Sequence, residues 1–187
     1  MAPCTSCRSG LWGSSWGHGL PEALAVSALA VLLAAQGIPA LTHQWRLWRL
    51  ESASLHVADI LRAAREQSSG RGQALRLELD PGSGASGSAC LLLHDGAAGA
   101  CTGCSGEPLC RGGAVALART SPLPPGIMLR SSSASLLWHP AAGTVTPTAT
   151  LRVSLADGRT EAQHVVNLLG RVRSCAQGEP LRGHEAC

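Results

Sequence analysis

The chain contains no lysine, phenylalanine or tyrosine, and charged side chains make up only 14% of its 187 residues. All fifteen basic residues are therefore arginine. Without phenylalanine and tyrosine, the core must be built from leucine, valine, isoleucine and alanine, with Trp138 the one large aromatic of the distal half. Catalytic signatures are missing as well. There is no Gly-x-Ser-x-Gly elbow, and the glycines from Gly82 to Gly87 lack the lysine and following helix of a phosphate loop, so they are turn material. His94, His139 and His164 stand in no context that names a partner and are read as surface or strand residues. These absences predict a protein that is not an enzyme and carries no cofactor. The net charge of +3 says little about partners, so local arginine clusters matter more.

What is present is a long apolar run. From Ala23 to Ala35 there is no charge and one polar side chain, Ser27, so the stretch could lie in hydrocarbon with its backbone bonds closed as a helix. It opens with Pro21 and Glu22 and closes with Gln36, Gly37 and Pro39. A carboxylate at the entrance of a span is costly and calls for a cationic partner. A plain secretory signal peptide cut near Ala34-Ala35-Gln36 is the competing reading, but the preceding segment carries only Arg8 as a charge.

Gly17, then five residues closing with Glu22, then an apolar run interrupted by a proline: this order resembles the class III signal of type IV pilins and type II secretion pseudopilins. The resemblance implies a leader over residues 1–17 removed by prepilin peptidase after Gly17, with His18 as the new, methylated N-terminus. It implies further that Leu20 is the apolar position two beyond, and that Glu22 pairs with the terminal amine of a neighbouring subunit. Ala34-Ala35 would be the small pair and Pro39 the helix-kinking proline. Residues 18–39 would then form the transmembrane and filament-core helix, and 40–187 the periplasmic domain. His18 stands where the family has Phe or Met, and Pro21 where it has an aliphatic residue.

Beyond Pro39, Leu47, Leu50, Val57, Leu61 and Ala64 recur at helical spacing while Arg46, Arg49, Arg62 and Arg65 fall off that line. The helix is expected to end at Ser68-Ser69-Gly70, with Gly70 as a left-handed cap. From Gln73 the period becomes two: Leu75, Leu77 and Leu79 alternate with Arg76 and Glu78, and Cys90 to His94 returns after a turn. Short strands are expected over Ala114–Arg119, Ile127–Arg130 and Ser135–Trp138. Leu151, Val153 and Leu155 alternate before Asp157-Gly158, a strong hairpin signal, and Val165 to Leu169 pairs back. The predicted class is α+β: a long kinked N-terminal helix, part anchor and part exported, packed on antiparallel β-sheet.

Cys4 and Cys7 would leave with the leader. Cys90, Cys101, Cys104, Cys110, Cys175 and Cys187 would be exported, and an even number in an oxidising compartment argues for disulfides. Cys175 with Cys187 is the expected pair, closing a tail that has little else to hold it down. Zinc on Cys101, Cys104 and Cys110 is the alternative, though a second well-spaced pair is missing.

Two further segments, Leu61-Arg62-Ala63-Ala64-Arg65 with Arg71-Gly72-Gln73, and Val165 through Arg173, resemble the helix end with first strand and the closing strand of FimT/GspH-type minor pilins and pseudopilins. In FimT-type pilins a Gly-Arg-x-Arg element like Gly170-Arg171-Val172-Arg173 is implicated in DNA capture, and two arginines on one face suit phosphate oxygens. Arg159 and Arg182 would extend the patch if the tail folds back, and Trp138 would be core or a base-stacking platform. The implied role is a minor pilin or pseudopilin, a structural filament subunit, to which the Gly-Arg-x-Arg element would add capture of double-stranded DNA for natural transformation. Its implied partners are other pilin or pseudopilin subunits, prepilin peptidase and an inner-membrane assembly platform. It would sit single-pass in the inner membrane with its C-terminal domain in the periplasm. A GspH-like tip subunit of type II secretion and an uncleaved, membrane-anchored periplasmic protein are the alternatives.

Overall fold

The computed structural model describes residues 19–80, 89–104 and 106–187. Gly17 and His18 lie outside them, as do Cys4 and Cys7. The chain divides after Thr42 into two units, although one helix, α1 (Leu20–Arg71), supplies residues to both. In the first unit α1 continues through Pro39, and its apolar window, long enough to cross a membrane, is unburied. Glu22 occupies the first turn, where a carboxylate complements the positive end of the helix dipole.

The second unit packs the remainder of α1 against two five-stranded sheets. Leu50, Ala53, Val57, Ile60, Leu61 and Ala64 form a buried stripe at spacings of one to four residues, which is the expected apolar face widened by two positions. The helix runs past Gly70 to Arg71, and the left-handed glycine is Gly72, at φ +64°. The cap therefore stands two residues later than expected. Ser68 turns inward at this end, and its hydroxyl donates to the Gln73 carbonyl at 2.9 Å.

The first sheet is built from β1 (Leu75–Asp80), β2 (Cys90–His94), β5 (Ala116–Arg119), β7 (Ser135–His139) and β8 (Thr144–Thr146), in the order β5-β2-β1-β7-β8. The second contains β6 (Ile127–Ser131), β9 (Ala149–Leu155), β10 (Glu161–Val166), β11 (Val172–Gln177) and β12 (Glu185–Ala186), in the order β12-β11-β10-β9-β6. All pairings in the two sheets are antiparallel except β11 with β12. Leu75, Leu77 and Trp138 from one sheet and Leu151, Val153 and Val166 from the other meet the helix in one core. Trp138 is 3% exposed, so it is a core residue and not a stacking platform.

The strand β2 is buried at every position. Its inner side chains Leu91 and Leu93 join the main core, while Cys90 and Leu92 form a second cluster with Cys104. The cysteine-rich segment after β2 covers this outer face. It contains a small hairpin of β3 (Cys101–Thr102) and β4 (Leu109–Cys110). Glu78 accepts the Gly99 N–H and Asp80 the Gly103 N–H, both at 2.7 Å, so the acidic side chains of β1 hold the segment down by its backbone. Cys90 is joined to Cys104, Cys101 to Cys110 and Cys175 to Cys187. The zinc alternative fails for this reason: its three sulfurs are consumed by two different disulfides.

Candidate functional site

The segment Val165–Arg173 is not one closing strand. β10 ends at Val166, the chain reverses over Asn167–Gly170, and β11 begins at Val172. The Asn167 carbonyl accepts the Gly170 N–H at 2.9 Å, and its side-chain Oδ1 accepts the Arg171 N–H at 2.9 Å. Gly170 has φ +66°, a conformation side chains rarely adopt, as in hairpin loops closed by a glycine. It is also tightly placed. A Cβ there would stand 3.3 Å from Val145 and 3.4 Å from Trp138 Nε1. Asparagine and glycine together thus fix where Arg171 leaves the turn.

Arg171 and Arg173, both exposed, line a cleft of about 590 Å³. Its opposite wall is a helical stripe of α1, Arg62, Arg65, Glu66 and Ser69. Four guanidiniums therefore face one carboxylate in one open cleft. Arg62 is engaged by Asp59 at 3.1 Å, but this pair is exposed and of the i,i+3 kind, which contributes only a few tenths of a kcal/mol. The tip of the hairpin beside the cleft shows Leu168 and Leu169, each more than half exposed.

The other two arginines expected here are placed differently. Arg159 sits in the β9–β10 turn, at the opposite end of β10 from Arg171, and six residues of strand separate the two ends by about 20 Å. Arg182 is exposed in the tail and does not line the cleft. Conversely, Arg62 and Arg65 line the cleft, although the sequence showed them only on the polar side of the helix and within the segment that resembles a minor-pilin helix end. The signal was their spacing of three on the helix's polar side, but nothing local says that a hairpin a hundred residues later comes to face them.

Next to Arg173 on β11, Ser174 is one end of a buried polar chain. His164, fully buried on β10, has Nδ1 2.8 Å from Ser174 Oγ and Nε2 3.0 Å from Ser54 Oγ. Ser54 Oγ is 2.7 Å from His184 Nε2, and His184 Nδ1 is 3.2 Å from the Arg182 carbonyl. The carbonyl only accepts, so His184 carries its proton on Nδ1. Ser54 then donates to His184, His164 Nε2 donates to Ser54, and Ser174 donates to His164 Nδ1. This arrangement leaves no member of the chain without a partner. Burial, reinforced by His184 and then Arg62, lowers the pKa of His164 from 6.5 to about 4. His94 is also buried, 3.2 Å from Glu78, with its Nδ1 accepting the Gly96 N–H. These two buried strand histidines thus have structural partners that the sequence did not name, and the third, His139 on β7, has its Nε2 2.8 Å from Thr146 Oγ1.

No protein-family model and no curated protein matches the sequence. Among solved structures, the chain is similar to the type IV minor pilin FimU of Pseudomonas aeruginosa in one crystal form, with 18% identity and a TM-score of 0.47 over 70% of this chain and 88% of that one. A second crystal form of the same pilin gives 15% identity and a TM-score of 0.44, covering 73% of this chain and 92% of that one.

Proposed function

We propose that this chain is a membrane-anchored minor pilin or pseudopilin subunit whose arginine cleft takes up the phosphodiester backbone of double-stranded DNA. The observation that carries the DNA reading is the convergence of Arg62 and Arg65 from α1 with Arg171 and Arg173 from the β10–β11 turn. Planar guanidiniums donate two parallel hydrogen bonds to phosphate oxygens, contacts that position a duplex and carry no sequence information. Binding therefore follows charge and not sequence. The filament role rests on the Gly17-to-Glu22 signal ahead of an unburied apolar helix that continues into the folded domain. In this reading Glu22 meets a neighbour's terminal amine.

The test is duplex binding by the full chain in lipid nanodiscs, measured against salt concentration. Affinity should fall steeply with salt, because each neutralised phosphate releases counterions at about 0.9 logarithmic units per contact. Arg171→Gln with Arg173→Gln should lower the slope by about two and leave thermal unfolding unchanged, since exposed substitutions usually cost under about 0.5 kcal/mol. A double variant with the parent's slope rejects this cleft. No binding by the parent at low salt rejects DNA uptake and favours a secretion-tip role.

A further inference from the structure

At the other end of the domain, two tryptophans stand in water. Trp45 and Trp48 are 58% and 50% exposed and touch edge to face at 5.5 Å between ring centroids. Such rings rarely stay solvated without a use, because each carries a large apolar body with one polar N–H. Arg46 and Arg49 alternate with them on the neighbouring helix face. Among the described residues neither arginine has a carboxylate partner. Both arginines open onto a cavity of about 590 Å³ whose floor includes Ile127 and Leu155. Asp157 also stands on that wall, but its Oδ1 is engaged by the Arg159 N–H. This group follows directly on the apolar stretch of α1, Trp45 coming about one turn after exposed Leu41.

We infer that Trp45, Trp48, Arg46 and Arg49 form an interfacial collar that seats the domain on a bilayer and selects anionic phospholipid headgroups beside it. The chemistry is specific to that layer. Indole rings favour the depth where acyl chains give way to glycerol and phosphate, keeping the N–H in the polar zone. Guanidiniums placed one residue further on reach the phosphates above, and an apolar-floored cavity accommodates the glycerol end of one lipid. The inference rests on the membrane-anchor reading but not on DNA binding.

It is tested with the full chain in vesicles of equal parts phosphatidylglycerol and phosphatidylcholine, in which only one lipid carries bromine near the top of its acyl chains. Tryptophan quenching is taken as the difference between the parent and a Trp45→Leu, Trp48→Leu variant, which removes the signal of the other three tryptophans. Brominated phosphatidylglycerol should quench several-fold more than brominated phosphatidylcholine, since one arginine near the surface favours anionic lipid about fivefold. In Arg46→Gln, Arg49→Gln the two lipids should quench equally. Equal quenching in the parent overturns lipid selection by the arginines. Co-flotation with vesicles but no quenching overturns the collar alone and points to coverage by another protein copy. Failure to co-float overturns the anchor reading and the collar together.

Discussion

Ser54 Oγ lies 2.7 Å from His184 Nε2, joining the middle of α1 to a tail residue 130 positions later. The tail is held at two further points along the same course. Glu179 pairs with His43 at 2.9 Å, and Cys187 is bonded to Cys175, with Leu181 buried between them. The half-exposed His43 pair contributes under about 1 kcal/mol. The buried hydroxyl–imidazole chain and the disulfide therefore carry most of the attachment.

Stability should fall in acid through His164. Its folded pKa, about 4, lies below the unfolded value of 6.5, so the unfolded chain takes up the proton first. The contribution is complete above pH 6.5 and is lost as pH drops toward 4, with a slope of up to about 1.4 kcal/mol per pH unit and a total of about 3 kcal/mol. Denaturant unfolding of the domain from His43 onward at several pH values measures this against His164→Asn, whose curve should be flatter between those limits. Parallel curves would show that the imidazole is already charged in the folded protein.

Breaking the chain at its centre should cost more than removing a surface hydroxyl. Ser54→Ala leaves the His164 N–H without an acceptor and His184 without a donor, and a buried unsatisfied polar group costs about 1–3 kcal/mol. Equilibrium unfolding checks the magnitude. Hydrogen exchange checks the place, since the amides of β12 and the tail should lose protection first.

The helix wall of the cleft should matter as much as the hairpin wall. Arg62→Gln with Arg65→Gln should reduce the salt slope of DNA binding by about two, and combining it with the hairpin pair by about four. If the helix pair leaves the slope untouched, phosphate contacts are confined to the hairpin.

Nonreducing peptide mapping should return three bridges, with Cys90 joined to Cys104, Cys101 to Cys110 and Cys175 to Cys187. Replacing Cys175 and Cys187 by serine should cost about 3 kcal/mol through the loop that the bridge closes in the unfolded chain. Free thiols in protein recovered from the cell envelope would contradict export to an oxidising compartment.

For the proposed pilin signal, the intact mass of membrane-recovered protein should match a chain beginning at His18 with one added methyl group. Glu22→Ala should leave that cleavage intact yet lower incorporation into filaments, because an unpaired partner amine in hydrocarbon is costly. A mass beginning at Met1, or after Ala35, would remove the basis for filament assembly.

Local pattern was enough for much of this molecule. The helix stripe at Leu50, Val57, Leu61 and Ala64 and the alternation at Leu75–Leu77 and Leu151–Leu155 can be read residue by residue, because one face of each element is buried and the other is wet. The same holds for the Asp157-Gly158 turn, and the even cysteine count pointed to disulfides. Where a segment is covered on both faces, as β2 is, periodicity is silent, and only the tertiary structure decided that the cysteine-rich segment closes over Cys90 and Leu92. Long-range meetings were equally invisible: Cys90 choosing Cys104, Ser54 bridging two histidines, and Arg62 and Arg65 facing Arg171 and Arg173 while Arg159 stands at the far end of β10. Sequence pattern reports which side of an element is buried. Which other element lies against that side is set by the packing of helix and sheets into one core, and the cleft exists only once that packing is complete.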